Sequence, residues 1–247
     1  MTAPALAVEQ PDGSRQYVHP LTDERVPSVT TILKEAIAKP RLMGWATGLA
    51  ARYAVETWDW LGQQPPSERI EMIRYAHDRE RQKASDLGTE VHSVIDSWCT
   101  GRPHENTKAT APYLNNFISF MMDKKPRFIE NEVTVWSRKH RYAGTFDWLA
   151  EISGEVWLGD TKTGKRVYDE VGLQLAALGN ADFILREDGT EEPIPEWTRM
   201  AALHIRPRGW KLVPILHEDL NWSAFLACRE LYSWIHEVAP EVLGEAA

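Results

Sequence analysis

The chain has 247 residues, 43% of them hydrophobic and eleven of them tryptophan, enough for one well-packed domain with elaborations. Its 28 basic and 36 acidic side chains give a net charge of −8, which excludes a generally basic nucleic-acid coat protein but not a local basic groove. Cys99 and Cys228 lie far apart and in no CxxC arrangement, so no zinc site, iron–sulfur cluster or disulfide framework is indicated, and both are expected to be reduced core thiols.

The first residues, Met1 to Glu9, carry no basic region or long apolar run, and no later segment has the roughly 18 apolar residues of a membrane span. A cytoplasmic protein without a membrane partner is expected. Residues 15–30 alternate and turn like a small hairpin. Ser28 can cap a short helix through Ile37, and Pro40 suits the first turn of another that passes Trp45, Leu49, Tyr53 and Trp58. Gln63 to Ser67 is a break. A charged helix should follow from Ser67 to about Ala84, and a further one should hold Val91, Ile95 and Trp98 on one face and end near Gly101.

From about Ala111 the pattern changes. It predicts a helix over 111–124, strands over 128–137, 142–151 and 155–162, a helix over 168–186, strands over 198–206 and 210–217, and a last helix over 221–237. Arg186 to Pro193 reads as a solvated loop. Strands alternating with helices imply an α/β protein whose central sheet is covered on both sides.

Two of these strands carry the chemistry. If Ser153-Gly154 makes a tight turn, Ile152 faces Glu155, and Asp147 lands opposite Asp160. Lys162 shares the face of Asp160, because side chains alternate along a strand. Opposed like charges with Cβ atoms roughly 5 Å apart destabilise a hairpin, so packing alone gives no reason for them. A divalent cation does: hard oxygen ligands hold Mg²⁺ or Mn²⁺, and a neighbouring ammonium serves the attacking water or a phosphate. The plainer reading of a D-x-K pattern is a surface ion pair, which would be worth little. The apolar flanks and the opposed acids favour the metal.

Around this pair stand Gly144-Thr145-Phe146-Asp147, then Gly159-Asp160-Thr161-Lys162-Thr163-Gly164, then Gln174, with Leu87-Gly88-Thr89-Glu90-Val91-His92 upstream. The string resembles the PD-(D/E)XK nuclease superfamily, in particular its RecB-like exonuclease branch, to whose histidine motif the upstream segment is similar. Pro27 to Leu33, followed by Trp45, is similar to the opening of phage and mitochondrial genome maintenance-type exonucleases. The match runs in order over residues 26–217.

The resemblance implies a restriction-endonuclease-like core, a central mixed sheet flanked by helices, over residues 111–247, preceded by an N-terminal hairpin and helical block over 1–110. It makes Asp147, Asp160, the Thr161 carbonyl and His92 metal ligands, with Lys162 positioning or helping to deprotonate the hydrolytic water and Gln174 supporting the site. Imidazole suits later divalent metals, so Mn²⁺ should serve as well as Mg²⁺. No iron–sulfur cluster is expected. The chain has Leu178 where the branch usually has a tyrosine, four residues after Gln174, so that contribution is absent or replaced by Tyr168. Glu132, on the preceding strand, is an acid paralleled in some relatives.

Lys165 and Arg166 at the strand exit, and Arg138 and Arg141 in the connection before the Asp147 strand, are candidate phosphate contacts. Trp45, Tyr53, Trp58 and Trp60 with Arg41 and Arg52 make a candidate stacking path for single-stranded bases, although helical aromatic stripes are more often core. The implied activity is metal-dependent DNA hydrolysis, as an exonuclease on single-stranded or frayed ends in repair, recombination or phage DNA processing. DNA and a recombination or repair protein are the expected partners. The alternatives are a structure- or sequence-selective endonuclease of the same superfamily and a non-catalytic DNA-binding or assembly subunit; intact Asp147, Asp160 and Lys162 count against the latter.

Overall fold

The computed structural model describes residues 6–103 and 106–244. It begins with a three-stranded antiparallel sheet of β1 (Ala7–Glu9), β2 (Arg15–Val18) and β3 (Arg25–Pro27). The predicted hairpin is its β2–β3 part; β1 is too short to show a period in the sequence. Ser28 then opens α1 (Val29–Ala36), accepting the Thr31 N–H on its hydroxyl at 3.0 Å, as an N-cap should.

Next come α2 (Pro40–Glu56), the short α3 (Trp58–Leu61), α4 (Pro66–Arg74) and α5 (Ala76–Cys99). The predicted division of this block is corrected. The chain breaks at Tyr75, and α5 runs for 24 residues straight through Gly88, where the sequence suggests two separate helices. A lone glycine costs a helix about 1 kcal/mol, too little to break one anchored by packing at Val91 and Val94. Cys99, the last residue of α5, is exposed and so is no core thiol, while Cys228 is half-buried.

The second half follows the predicted order with one substantial change. It comprises α6 (Ala111–Lys124), β4 (Arg127–Ser137), β5 (Tyr142–Ile152), β6 (Glu155–Lys162), α7 (Glu170–Gly179), β7 (Phe183–Leu185), β8 (Glu191–Glu192), β9 (Arg199–Arg206), β10 (Gly209–Ile215) and α8 (Glu218–Ser233). A π turn, Trp234–Val238, prolongs α8. The helix predicted over 168–186 stops at Gly179. Asn180 folds its amide back onto the Ala176 carbonyl at 2.9 Å, and Trp197 fills the space a side chain at Gly179 would need. Phe183–Leu185 is instead a buried strand paired with Val135 and Trp136 of β4, a short apolar run that periodicity alone cannot tell from helix. The predicted solvated loop over 186–193 is also corrected: Glu191–Glu192 pairs with β7, and Arg186 bridges Glu130 and Glu192.

The protein is therefore α/β, with a seven-stranded mixed sheet in the order β10–β9–β6–β5–β4–β7–β8 flanked by helices. Only β6–β9 is parallel. Consecutive residues of β9 are buried on opposite faces, Met200 and Ala202 with α1, α7 and α8, and Ala201, Leu203 and Ile205 with α5 and α6. A strand covered on both sides must read as a nearly continuous apolar run. Val29, Ile32 and Leu33 of α1 lie in the same buried cluster as Leu175 and Phe225, so the N-terminal part shares the core of the sheet. The three-stranded sheet packs Tyr17 and Val26 against Trp136 and Phe183. No helix among the described residues is long and apolar enough to cross a membrane.

Gly159 is the tightest point of this packing. A Cβ there would lie 1.9 Å from the Trp148 ring, whose nitrogen donates to the Thr161 hydroxyl at 3.3 Å. Gly159→Ala must displace a large buried ring beside Asp160 and is expected to cost about 3 kcal/mol. A denaturant melt showing wild-type stability would refute this packing.

Candidate metal centre

The β5–β6 hairpin has the predicted register, from Ile152↔Glu155 to Trp148↔Gly159, with Ser153 and Gly154 at φ of 55° and 84° as a tight turn of the primed kind requires. The next pair in that register would be Asp147 and Asp160, and there the regular pairing stops. The Thr161 N–H goes to the Asp147 carboxylate, 2.6 Å from Oδ2. Alternation along β5 breaks at the same place, since Phe146 and Leu149 are buried on one face and Trp148 on the other. On β4 the residue level with Asp147 is Glu132, between the pairs Asn131↔Trp148 and Val133↔Phe146, and it has a φ of 51°. A non-glycine residue in the left-handed region is uncommon within a strand and marks a site where the ladder has been bent. Three acids from three adjacent strands thus stand in one row.

Helices on the two faces of the sheet complete the notch. From α5, His92 brings Nε2 to 3.1 Å from the Thr161 carbonyl oxygen, donating in the tautomer that carries its proton there. Its ring, Glu132 and Asp147 offer ligand atoms that all lie within 4.8 Å of one another. From α7, Gln174 donates to Asp160 Oδ1 at 3.0 Å and accepts from Lys162 Nζ at 3.3 Å. Lys162 Nζ also reaches Oδ1 at 2.9 Å. Asp160 is buried, and its Oδ2, 2.7 Å from the same ammonium, has no hydrogen bond of acceptable geometry.

The electrostatics follow from that crowding. Burial first, and then the Asp160 charge, push Asp147 up to about 6 despite His92, Lys162 and the Thr161 N–H. Glu132 is exposed as a residue, yet its carboxyl turns inward. Desolvation, followed by the charge of Asp147, pushes it up to about 7. Burial pulls Lys162 down, but the carboxylates of Asp160 and Asp147 outweigh it and the net shift is upward. A negative cluster that protonates this readily, with a buried carboxylate oxygen left unbonded, has the donor set and the charge deficit that a hard divalent cation would satisfy.

Sequence reasoning and structure differ over the ligand set. His92, Asp147, Asp160 and Thr161 were the expected ligands; the tightest group is His92, Glu132 and Asp147, with Asp160 outside it and held by Lys162 and Gln174. Glu132 had a signal. The β4–β5 connection pairs Ser137 with Tyr142, and stepping back from that pair sets 132 opposite 147. A cavity of about 200 Å³ opens onto these residues, and Arg15, Tyr17, Ser28 and Thr30 of the N-terminal part line its other side. Sequence reasoning assigned none of those four to the site.

The remaining predicted residues lie outside the cavity lining. Leu178 lines it at the position where a tyrosine was expected, whereas Tyr168 is exposed under the Arg166 guanidinium. Lys165, Arg166 and Arg141 are exposed, and Arg138 is taken up by an ion pair with Glu191 and by the Phe183 ring. The helices of the candidate stacking path pack away from the sheet: α2 buries none of its residues, and Trp58 and Trp60 are exposed. Tyr53 lies under Arg79, and Trp45 meets His77 edge-on.

No family model and no curated protein matches this chain. Among solved structures, SSO0001 superposes over 85% of each chain at 12% identity and a TM-score of 0.35, too slight a likeness to carry an argument.

Proposed function

We propose that this protein is a metal-dependent deoxyribonuclease with a restriction-endonuclease-like core, acting as an exonuclease on single-stranded or frayed DNA ends. The observation that carries the reading is the convergence of His92, Glu132 and Asp147 beside a buried Asp160 oxygen that lacks a hydrogen bond, two residues before a lysine. A packed core has no use for that arrangement, because like charges at neighbouring sheet positions cost stability unless something positive joins them.

His92, Asp147, Asp160 and the Thr161 carbonyl, with Glu132 added by the geometry, would hold Mg²⁺ or Mn²⁺. When bound, such an ion activates water and neutralises charge developing on a phosphodiester. Lys162 stays protonated at neutral pH in its present surroundings, so its part is to position water or a phosphate oxygen by charge rather than to remove a proton. Gln174 fixes Lys162 and Asp160 relative to each other. The exonuclease preference, the core over 111–247 with an N-terminal block supplying His92, and a role in repair, recombination or phage DNA processing come from the motif resemblance; residues 1–5, 104–105 and 245–247 lie outside the described structure.

Metal binding needs both Glu132 and Asp147 deprotonated, so affinity for Mn²⁺ is expected to fall about tenfold or more between pH 8 and pH 6 in calorimetric titrations. The function itself is tested with end-labelled single- and double-stranded DNA in Mn²⁺ or Mg²⁺. Hydrolysis should disappear on chelation and in Asp160→Asn. Activity that survives either removes the mechanism, and cutting of closed circular single strands replaces the exonuclease by an endonuclease.

A further inference from the structure

Three carboxylates line the cavity, and a phosphodiester entering it needs a cation that is not already neutralised. Lys162 is committed to Asp160. Arg15 is the other lysine or arginine in the lining, and it makes no ion pair among the described residues. It is also firmly placed. Its backbone N–H donates to the Thr31 hydroxyl at 2.8 Å, and its carbonyl accepts from that hydroxyl at 3.1 Å and from the Ser28 N–H at 2.9 Å. Its guanidinium borders the Tyr17 hydroxyl, which is buried and held by the Thr145 hydroxyl at 2.9 Å. An arginine whose backbone is fixed this way, with its guanidinium in the cavity beside Tyr17 and in no ion pair, can offer a planar oxyanion two parallel N–H bonds.

We propose that Arg15 is a substrate-positioning residue, which binds a phosphate of the DNA strand within the cavity and sets affinity rather than the rate of the chemical step. The proposal rests on the reading of this site as a phosphodiesterase. It also assigns the N-terminal hairpin a function: β2 carries one wall of the substrate site, and its contact with the start of α1 holds that wall against β5, where Ser28 bridges Ala143.

Arg15→Gln and Arg15→Lys both keep the backbone contacts that join β2 to α1, so both should fold and melt like the wild type. Steady-state hydrolysis of a single-stranded oligonucleotide in Mn²⁺ should show KM raised about tenfold in the Gln variant, with kcat changed by less than about threefold. Equilibrium binding of the same labelled oligonucleotide, measured in an Asp160→Asn background, should weaken by a similar factor, and the slope of log affinity against log salt should fall by about one. The Lys variant, which keeps the charge but not the fork, should fall between. Unchanged KM, affinity and salt slope in the Gln variant would overturn the proposal, as would a loss confined to kcat. If the wild type does not hydrolyse DNA, the nuclease reading fails while the binding comparison still decides the part of Arg15; an oligonucleotide that does not bind at all overturns both.

Discussion

Replacing Asp147 by asparagine is expected to abolish metal-dependent hydrolysis and, at the same time, to make the metal-free protein more stable at pH 7.5. The two effects share a cause. Asp147 titrates near 6 in the folded protein, because burial and the Asp160 charge disfavour its ionised form, against an ordinary value of 3.8. For an acid raised in this way the folded state binds the proton more tightly than the unfolded chain. Its contribution to stability is therefore fully present below the unfolded value and is lost as pH rises through about 6. Two units correspond to about 3 kcal/mol, an upper bound because Asp147 is only half-buried and water screens part of the penalty. An amide removes the charge and keeps an acceptor for the Thr161 N–H, so Asp147→Asn should raise the thermal midpoint at pH 7.5 by about 5 °C. The gain should shrink towards pH 4.5, where wild-type Asp147 is itself neutral. Added Mn²⁺ should stabilise the wild type and not the variant. A variant less stable than the wild type at pH 7.5 without metal would show that the acid is not held there at an energetic cost.

The opposite sign is expected at Lys162. Its ammonium is the cation beside the buried Asp160, and Lys162→Met keeps the length of the side chain while removing the charge. Breaking a buried pair from one side costs about 3–5 kcal/mol. Lys162 keeps a third of its side-chain exposure, so screening reduces the expected loss to about 2 kcal/mol. Hydrolysis should fall about 10³-fold, the scale on which a single electrostatic contact to a developing charge acts. Activity within tenfold of wild type would remove Lys162 from the chemistry and leave it a structural ion pair.

The strands that carry Asp147, Asp160 and Lys162 were legible because their signals are local. Ser153-Gly154 fixes the β5–β6 turn, and the register from that turn brings Asp147 level with Asp160 without knowledge of the rest of the fold. Capping was equally readable at Ser28 and at Pro40, which opens α2. What escaped depends on tertiary contact. The end of α7 at Gly179 is enforced by Trp197, eighteen residues on, and β7 is a strand because β4 offers it an edge. The helix expected to end near Ala84 instead continues as α5, whose later turns pack beneath the sheet.

The same division runs through the site. Asp160, Lys162 and Gln174 share one network because strand alternation and the next helix bring them together, and each was named from the sequence. Arg15 enters from an element whose approach the sequence does not state, and Glu132, although the β4–β5 register sets it level with Asp147, is turned into the site by its backbone conformation. Arg15 depends on a three-stranded sheet folding back over β5, and Glu132 on a left-handed residue within a strand. The exposed aromatic residues of α2 and α3 are the converse case: a stripe expected to be core, or a path for bases, that lines neither the core nor the cavity.

The central claim is that a divalent ion belongs among His92, Glu132, Asp147 and Asp160. Crystals grown or soaked in Mn²⁺ and measured for anomalous scattering test it without reference to activity. The account predicts a strong peak within coordination distance of the His92 imidazole and the Asp147 carboxylate, absent from Asp147→Asn crystals treated in the same way. A well-ordered site with no anomalous peak at saturating Mn²⁺, or a peak held elsewhere on the chain, would contradict it.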